Sequence, residues 1–361
     1  MCQTGRALSR PFSPATTPID STDPVDGGVR PGRSDWYALE VDSRTAVRTV
    51  NELVGAGVTA RLATEQFETK SGDLPAGSVL FTANARAQLR AAGRAAGLWF
   101  EPVQGLPIRE PIERVPRIAC LCSAYENWAL EARLGFSADR WTNATINSAS
   151  TDPLAGYDVI YNTTQGYPED TPENATVRAR YAAFFAAGGG YVGARIDGAE
   201  FLVAEGARQL RGLAAQSQGR SSNAGKATER VEELIESFGR ATPAVQFDVS
   251  GIVYWDNEGR NSSPITGAYP GRDTGLVEDP VWFTEVPADM TVDGRLPASD
   301  YLASGHWPTP DASAGGSAVI VHGPNEANTS RITLFGIDPL FRAHPERSFP
   351  AVSEGFYWGD R

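Results

Sequence analysis

Gly188-Gly-Gly-Tyr-Val-Gly-Ala-Arg-Ile-Asp-Gly198 is the stretch that decides the fold. Upstream of it Val177, Tyr181, Phe184 and Phe185 fall on one helical face, and the glycine run ends that helix. Tyr191 to Ala194 then has the short apolar character of a buried strand. A helix, a glycine stop and a buried strand in this order form part of an α/β unit, in which helices cover the faces of a parallel sheet. In such a sheet the tight turn after the strand is where a Gly-x-Cys-x-Gly or Gly-x-Ser-x-Gly elbow exposes an attacking side chain. Here the turn reads Gly193-Ala-Arg-Ile-Asp-Gly198, with neither Cys nor Ser at the elbow. Acyl chemistry has no nucleophile at that place.

The same alternation extends outward. Arg117 to Cys122 reads as a buried strand, Glu126 to Leu134 as a helix ending at Gly135, and Tyr157 to Asn162 as a second strand. Residues 206–225 turn polar and Ser/Gly-rich, a surface excursion, and Val231, Leu234, Ile235 and Phe238 make a helical stripe after it. Residues 249–298, punctuated by prolines, predict short strands and turns. Ala318 to His322 and Arg331 to Ile337 are two apolar strands expected side by side, and Phe349, Val352 and Phe356 predict a closing helix. Residues 113–361 thus form one expected domain, flavodoxin-like in its alternation, with a mostly parallel sheet.

Ahead of it, a Pro-punctuated linker from Leu106 to Pro116 sets off a smaller α/β domain over 34–112. Its elements run β-α-β-β-α-β. Trp36 to Val41 opens as a strand, and Val47, Val50 and Val54 mark a helix stopped by Gly55 and Gly57. Val58 to Leu62 returns as a strand, and Leu74-Pro-Ala-Gly-Ser turns into another. Asn84 is placed to cap an Ala-rich helix, and Leu98 to Val103 closes the unit. Residues 1–33, rich in Pro, Ser, Thr, Asp and Gly, read as a disordered leader without a signal sequence, which also fits a reading frame lacking its front part.

Composition narrows the partners. The chain has 361 residues, 41% of them hydrophobic and 21% charged, enough for proper cores. A formal charge of −12 argues against nucleic acid or an anionic membrane as a partner, since both demand clustered Lys and Arg. No apolar run is long enough for a membrane span. Cys120 and Cys122, two apart in a strand, are expected to pack as small strand residues and not to bridge or share a metal.

Candidates for chemistry are few. A catalytic zinc commonly takes two histidines and a carboxylate and keeps a position for water. His306, His322 and His344 are the three histidines, and none has Glu or Asp three residues on, so no zinc or other cofactor site is expected. His344-Pro-Glu346 matches by letter the His-x-Glu pair that orients such an elbow cysteine, which makes His344 and Glu346 catalytic candidates. Asp338 and Arg342, in Phe335-Gly-Ile-Asp-Pro-Leu-Phe-Arg-Ala-His344, are placed to pair across that turn as a structural latch. Asp256 to Asn261 and Glu278-Asp279 read as solvated acidic loops. Trp282 and Trp307, in the turn-rich region, are candidates for stacking on sugars or wall polymers, with core or inter-loop packing the default reading.

Several motifs in order carry a resemblance. They are Val41-Asp-Ser-Arg-Thr-Ala-Val-Arg-Thr-Val-Asn-Glu-Leu53, Leu74-Pro-Ala-Gly-Ser78, Tyr125-Glu-Asn-Trp128, Pro280-Val-Trp-Phe-Thr284, Gly305-His-Trp307 and Leu334-Phe-Gly-Ile-Asp-Pro-Leu-Phe-Arg-Ala-His-Pro-Glu346. From about Val41 onward the chain resembles the C-terminal region of secreted, chiefly actinobacterial, carboxypeptidase A-like zinc peptidases. In these a class I glutamine amidotransferase-like domain follows the peptidase domain. The resemblance implies that zinc and the catalytic Glu belong to a peptidase domain not represented in these residues. It further implies a non-catalytic accessory region, degenerate at its elbow, that partners a carboxypeptidase catalytic domain in cis or in trans and contacts peptide or cell-wall substrate. Two rival readings are a hydrolase built on His344 and Glu346, and a glycan-binding module built on Trp282 and Trp307.

Overall fold

The computed structural model describes residues 26–204, 206–207, 209–217, 250–278, 280–307 and 312–360. The helix expected around Val231 to Phe238 lies outside the described residues, as do residues 208 and 218–225 of the polar excursion.

The N-terminal unit is a six-stranded sheet: Gly28–Val29 (β1), Trp36–Leu39 (β2), Ala60–Ala63 (β3), Val79–Thr82 (β6), Trp99–Pro102 (β7) and Arg109–Ile112 (β8), in the order β1-β7-β2-β6-β3-β8. Phe67–Glu68 (β4) and Asp73–Leu74 (β5) form a small ribbon beside it. All pairings in the large sheet are antiparallel except β1 with β7. Helices α1 (Arg44–Gly55) and α2 (Arg86–Ala96) pack on each other. Ser43 caps α1 by accepting from the Ala46 N–H, and its apolar face is buried at Val47, Val50, Leu53 and Val54.

Three local expectations change here. Gly28–Val29 lies within the stretch read as a leader, yet it pairs with β7, because Gly27 and Gly93 let backbones touch. A Cβ on Gly27 would stand 2.2 Å from the Gly93 carbonyl oxygen. Part of the Pro-rich linker is β8, whose Pro111 is tolerated because β8 is an edge strand. Asn84 does not cap α2: it sits in a 3₁₀ turn, and Ala85 occupies the cap position.

The second sheet has twelve strands. Its parallel part comprises Ser137–Arg140 (β10), Arg117–Leu121 (β9), Val159–Asn162 (β11), Gly190–Ala194 (β12) and Arg331–Phe335 (β20), in that spatial order. Helices α3 (Ala124–Trp128), α4 (Asn143–Ser148), α5 (Ala175–Ala186) and α6 (Arg195–Glu200) connect these strands. Beyond β20 the sheet continues antiparallel through Ala318–Pro324 (β19), Thr291–Arg295 (β17), Ser250–Asn257 (β14) and Arg272–Glu278 (β15). Ala214–Ser217 (β13), Val281–Glu285 (β16) and Leu302–His306 (β18) pair at its margins. The α/β class is as expected, and the proline-punctuated region supplies most of the antiparallel extension.

Period-two alternation divides the parallel strands between two cores. Ile118, Cys120, Val159, Tyr161, Val192 and Phe335 face one cluster, which runs without a break into Val47, Val50 and Phe100 of the N-terminal unit. Ala119, Leu121, Ile160, Tyr191, Ile332 and Leu334 face the other, under α5. The C-terminal helix, Phe349–Gly359, fills the seam on the first side and is buried nearly all round. The units are also tied by polar contacts. Asn51 donates to the Leu134 carbonyl at 2.9 Å and accepts from the Tyr357 hydroxyl at 2.7 Å, and Arg331 clamps Glu110.

Cys120 and Cys122 are disulfide-bonded, with Cα atoms 5.1 Å apart, contrary to the expectation that they would not bridge. The reason is local. Residues two apart line the same face of a strand, and both cysteines belong to the same core; β9 ends at Leu121, so the chain is no longer fully extended at Cys122 and the Cα atoms come within bridging range.

Candidate functional site at the carboxyl edge of the parallel strands

In α/β sheets ligands gather at the carboxyl ends of the parallel strands. The turn leaving β12 is there. Two glycines shape it: a Cβ on Gly193 would stand 2.5 Å from the Gly198 carbonyl oxygen, and one on Gly198 would stand 2.2 Å from that of Asn162. Between them Ala194 is extended and Arg195 is left-handed, with φ +63°. A non-glycine residue in that region costs roughly 1–3 kcal/mol, so the surrounding contacts must hold it. The strained apex of a nucleophile elbow is therefore present, with a guanidinium on it.

Two carboxyl groups hold Arg195. Its Nη2 lies 3.3 Å from Glu278 Oε2 at the end of β15, and its Nε lies 3.4 Å from Asp338 Oδ1, just past β20. Asp338 is buried and fixed in turn. Its Oδ2 accepts the Glu278 N–H at 2.7 Å, and its own N–H donates to the Leu276 carbonyl at 2.8 Å. Burial pushes the Asp338 carboxyl up to about 8, opposed by Arg195 and the Glu278 N–H and reinforced by Glu126 and Glu278.

Glu126 closes the cluster from the β9 side. Ser123 and Glu126 form a capping box at the start of α3. Glu126 Oε2 accepts from the Ser123 N–H at 2.8 Å and the Thr163 hydroxyl at 2.9 Å, and Oε1 accepts from the Tyr161 hydroxyl at 3.3 Å. The Tyr161 phenol is held well above its ordinary range by burial first and then by Glu126 and Asp338. Over this floor the 3₁₀ turn Phe341–Ala343 packs against α3, with Arg342 and Ala343 both left-handed at φ 48° and 59°. Tyr125 and Trp128 are exposed on α3, which continues as a π-helical turn through Ala129–Leu134.

The sequence candidates distribute unevenly over this arrangement. Asp338 enters the cluster, but through Arg195. Arg342 does not pair with it: its side chain is exposed and lies over the Phe341 ring, 4.9 Å from the centroid. The backbone kink at Arg342 turns the side chain outward while Asp338 faces the sheet edge. His344 and Glu346 are not a pair. His344 is exposed, and the Glu346 carboxylate is taken by Arg44 and Arg133. Trp282 and Trp307 do not form a sugar-stacking surface. They are 1% and 3% exposed and pack on each other with centroids 6.1 Å apart, because the antiparallel extension folds over them.

Of the other histidines, His306 ends β18 in the open, and His322 is buried against Asp293 at 2.6 Å. Among the described residues no group of three or more His, Cys, Asp and Glu is placed to hold a metal ion, and no helix is long and apolar enough to cross a membrane. Asp279, the neighbour of Glu278, lies outside the described residues. Sequence reasoning did not foresee Tyr161, Thr163 or the pairing role of Glu278. The Ser123-x-x-Glu126 box was the one available signal, since that spacing announces a helix start that buries its own carboxylate.

No protein-family model matches the chain, and no curated protein matches it. Among solved structures, the chain is similar to a glutamine amidotransferase, at 13% identity and a TM-score of 0.37 over 67% of this chain and 98% of that one. The glutaminase domain of Trypanosoma brucei CTPS, bound to acivicin, is similar at 12% identity and a TM-score of 0.37, over 68% of this chain and 95% of that one. A ThuA-like protein from Parabacteroides merdae is similar at 11% identity and a TM-score of 0.39, over 67% and 88% of the two chains.

Proposed function

We propose that this chain is a non-catalytic α/β module whose elbow has been converted from a place of attack into an ion-paired joint. Its role is to seat or steady the catalytic domain of a zinc carboxypeptidase. The observation that carries the first half is Arg195: it stands at the apex with φ +63° and is held by Glu278 and Asp338. A guanidinium remains protonated throughout the working pH range, so it cannot attack a carbonyl or pass a proton. The pair His344 and Glu346, which a hydrolase would use, is split between solvent and Arg44 and Arg133. The second half rests on the ordered motifs from Val41 to Glu346, and the carboxypeptidase domain would supply the zinc.

The test has two arms. The purified chain, with and without added zinc, is assayed for ammonia release from glutamine and for release of C-terminal residues from peptides. It is then titrated into a separately produced carboxypeptidase catalytic domain of the resembled family and followed by calorimetry. No turnover together with saturable binding is expected. Turnover that disappears in Arg195→Ala, or failure to bind any such domain, overturns the reading.

A further inference from the structure

The C-terminal helix lies against β12 and β20 on one side and against α1 on the other. Glu354 sits on this helix, is 0% exposed, and reaches the turn before β6. The fit is close: a Cβ on Gly77, which has φ +89°, would stand 2.7 Å from Glu354 Oε1. Only glycine leaves room for the carboxyl there. Neither Glu354 oxygen has a hydrogen-bond partner among the described residues, and Ser78 Oγ, Thr333 Oγ1 and Asp293 Oδ1 are likewise buried without one.

The charged groups that act on Glu354 are Glu40, Asp42 and Asp293, all acidic. From the other packed elements come Tyr269 and Tyr357, whose hydroxyls are committed to the Arg347 carbonyl and to Asn51, each at 2.7 Å. Arg347 itself holds Asp273 at 2.7 Å, and His322 holds the second oxygen of Asp293. An ionised carboxylate at this place therefore meets other acids and no counter-ion, a costly burial.

We propose that Glu354 is a proton-operated latch between the two sheets: protonated, it lets the C-terminal helix seat against the Gly77 turn and α1, and on losing its proton it loosens that seam. Burial, and then Glu40, Asp42 and Asp293, hold the carboxyl well above its ordinary range, in accord with the geometry. The sign follows from linkage. A carboxyl with a folded pKa above its unfolded value contributes fully below the unfolded value, and that contribution is lost as pH rises toward the folded one.

The experiment compares the full chain with Glu354→Gln, which keeps the shape without the titration. Thermal midpoints are measured from pH 5 to 9, together with amide exchange over 76–80, 349–359 and, as a reference, α5. The wild type is expected to lose at least about 3 °C more than the Gln variant across this range, and to lose protection first along the seam. Glu354→Met, of similar volume, is read in parallel, so a single variant that fails to fold does not end the test. Parallel midpoint curves, exchange rising equally in α5, or neither variant folding at any pH overturns the latch.

Discussion

Two clusters of buried carboxyl groups flank the parallel sheet, and they solve the same problem in opposite ways. At the carboxyl edge, Asp338 and Glu278 enclose Arg195, and Glu126 is satisfied by Ser123, Thr163 and Tyr161. At the seam between the sheets, Glu354 has acids around it and no hydrogen bond. Removing one partner from a buried ion pair strands a charge, whereas neutralising a lone buried acid removes a penalty. Removing the cation at the joint and neutralising Glu354 at the seam should therefore act with opposite signs, and the sign is what identifies a joint as opposed to a switch.

The largest effect is expected at the joint. At pH 9, where the Asp338 carboxyl is ionised, Arg195→Met leaves Asp338 and Glu278 without a cation and keeps the left-handed backbone strain, so unfolding free energy should fall by about 2 kcal/mol. That value lies below the range for fully buried pairs because Arg195 is 26% exposed. The urea midpoint reports it, and an unchanged midpoint breaks the comparison. A smaller, pH-dependent effect is expected from Asp338→Asn, which keeps the acceptor for the Glu278 N–H. Asp338 has a carboxyl pushed up to about 8, above the ordinary range, so its contribution is complete in acid and lost as pH rises toward 8. The Asn variant should thus gain on the wild type in thermal midpoint between pH 5 and 8. A constant offset between the two would remove Asp338 titration from the account.

Much of the architecture was legible because it rests on local signals. The glycine stop at Gly188-Gly-Gly190, the helical stripe of Val177, Tyr181, Phe184 and Phe185, and the cysteine-free elbow are short-range features, and the strands at 117–121, 159–162 and 190–194 with their helices follow them, while the short β10 and α4 carried no such signal. Long-range pairing was less readable. Trp282 and Trp307 left packing and sugar stacking both open, with packing the default, and the choice is made by strands far apart in sequence that bury them. Arg342 and Asp338 looked like partners by spacing, and a left-handed kink separates them. Glu354 stands off the Phe349, Val352, Phe356 face, which on a one-sided helix would point to water. This helix is enclosed on both sides, a fact that exists only once the N-terminal unit has docked against it.

The measurement that bears most directly on the ion-paired elbow is a double-mutant cycle on Arg195 and Asp338, run at pH 9 so that the carboxyl is ionised. Wild type, Arg195→Met, Asp338→Asn and the double variant are unfolded in urea under identical conditions. A coupling of about 1 kcal/mol or more in favour of the native pair is predicted. Strictly additive losses would mean that Arg195 stands at the apex for some other reason, and would contradict the account.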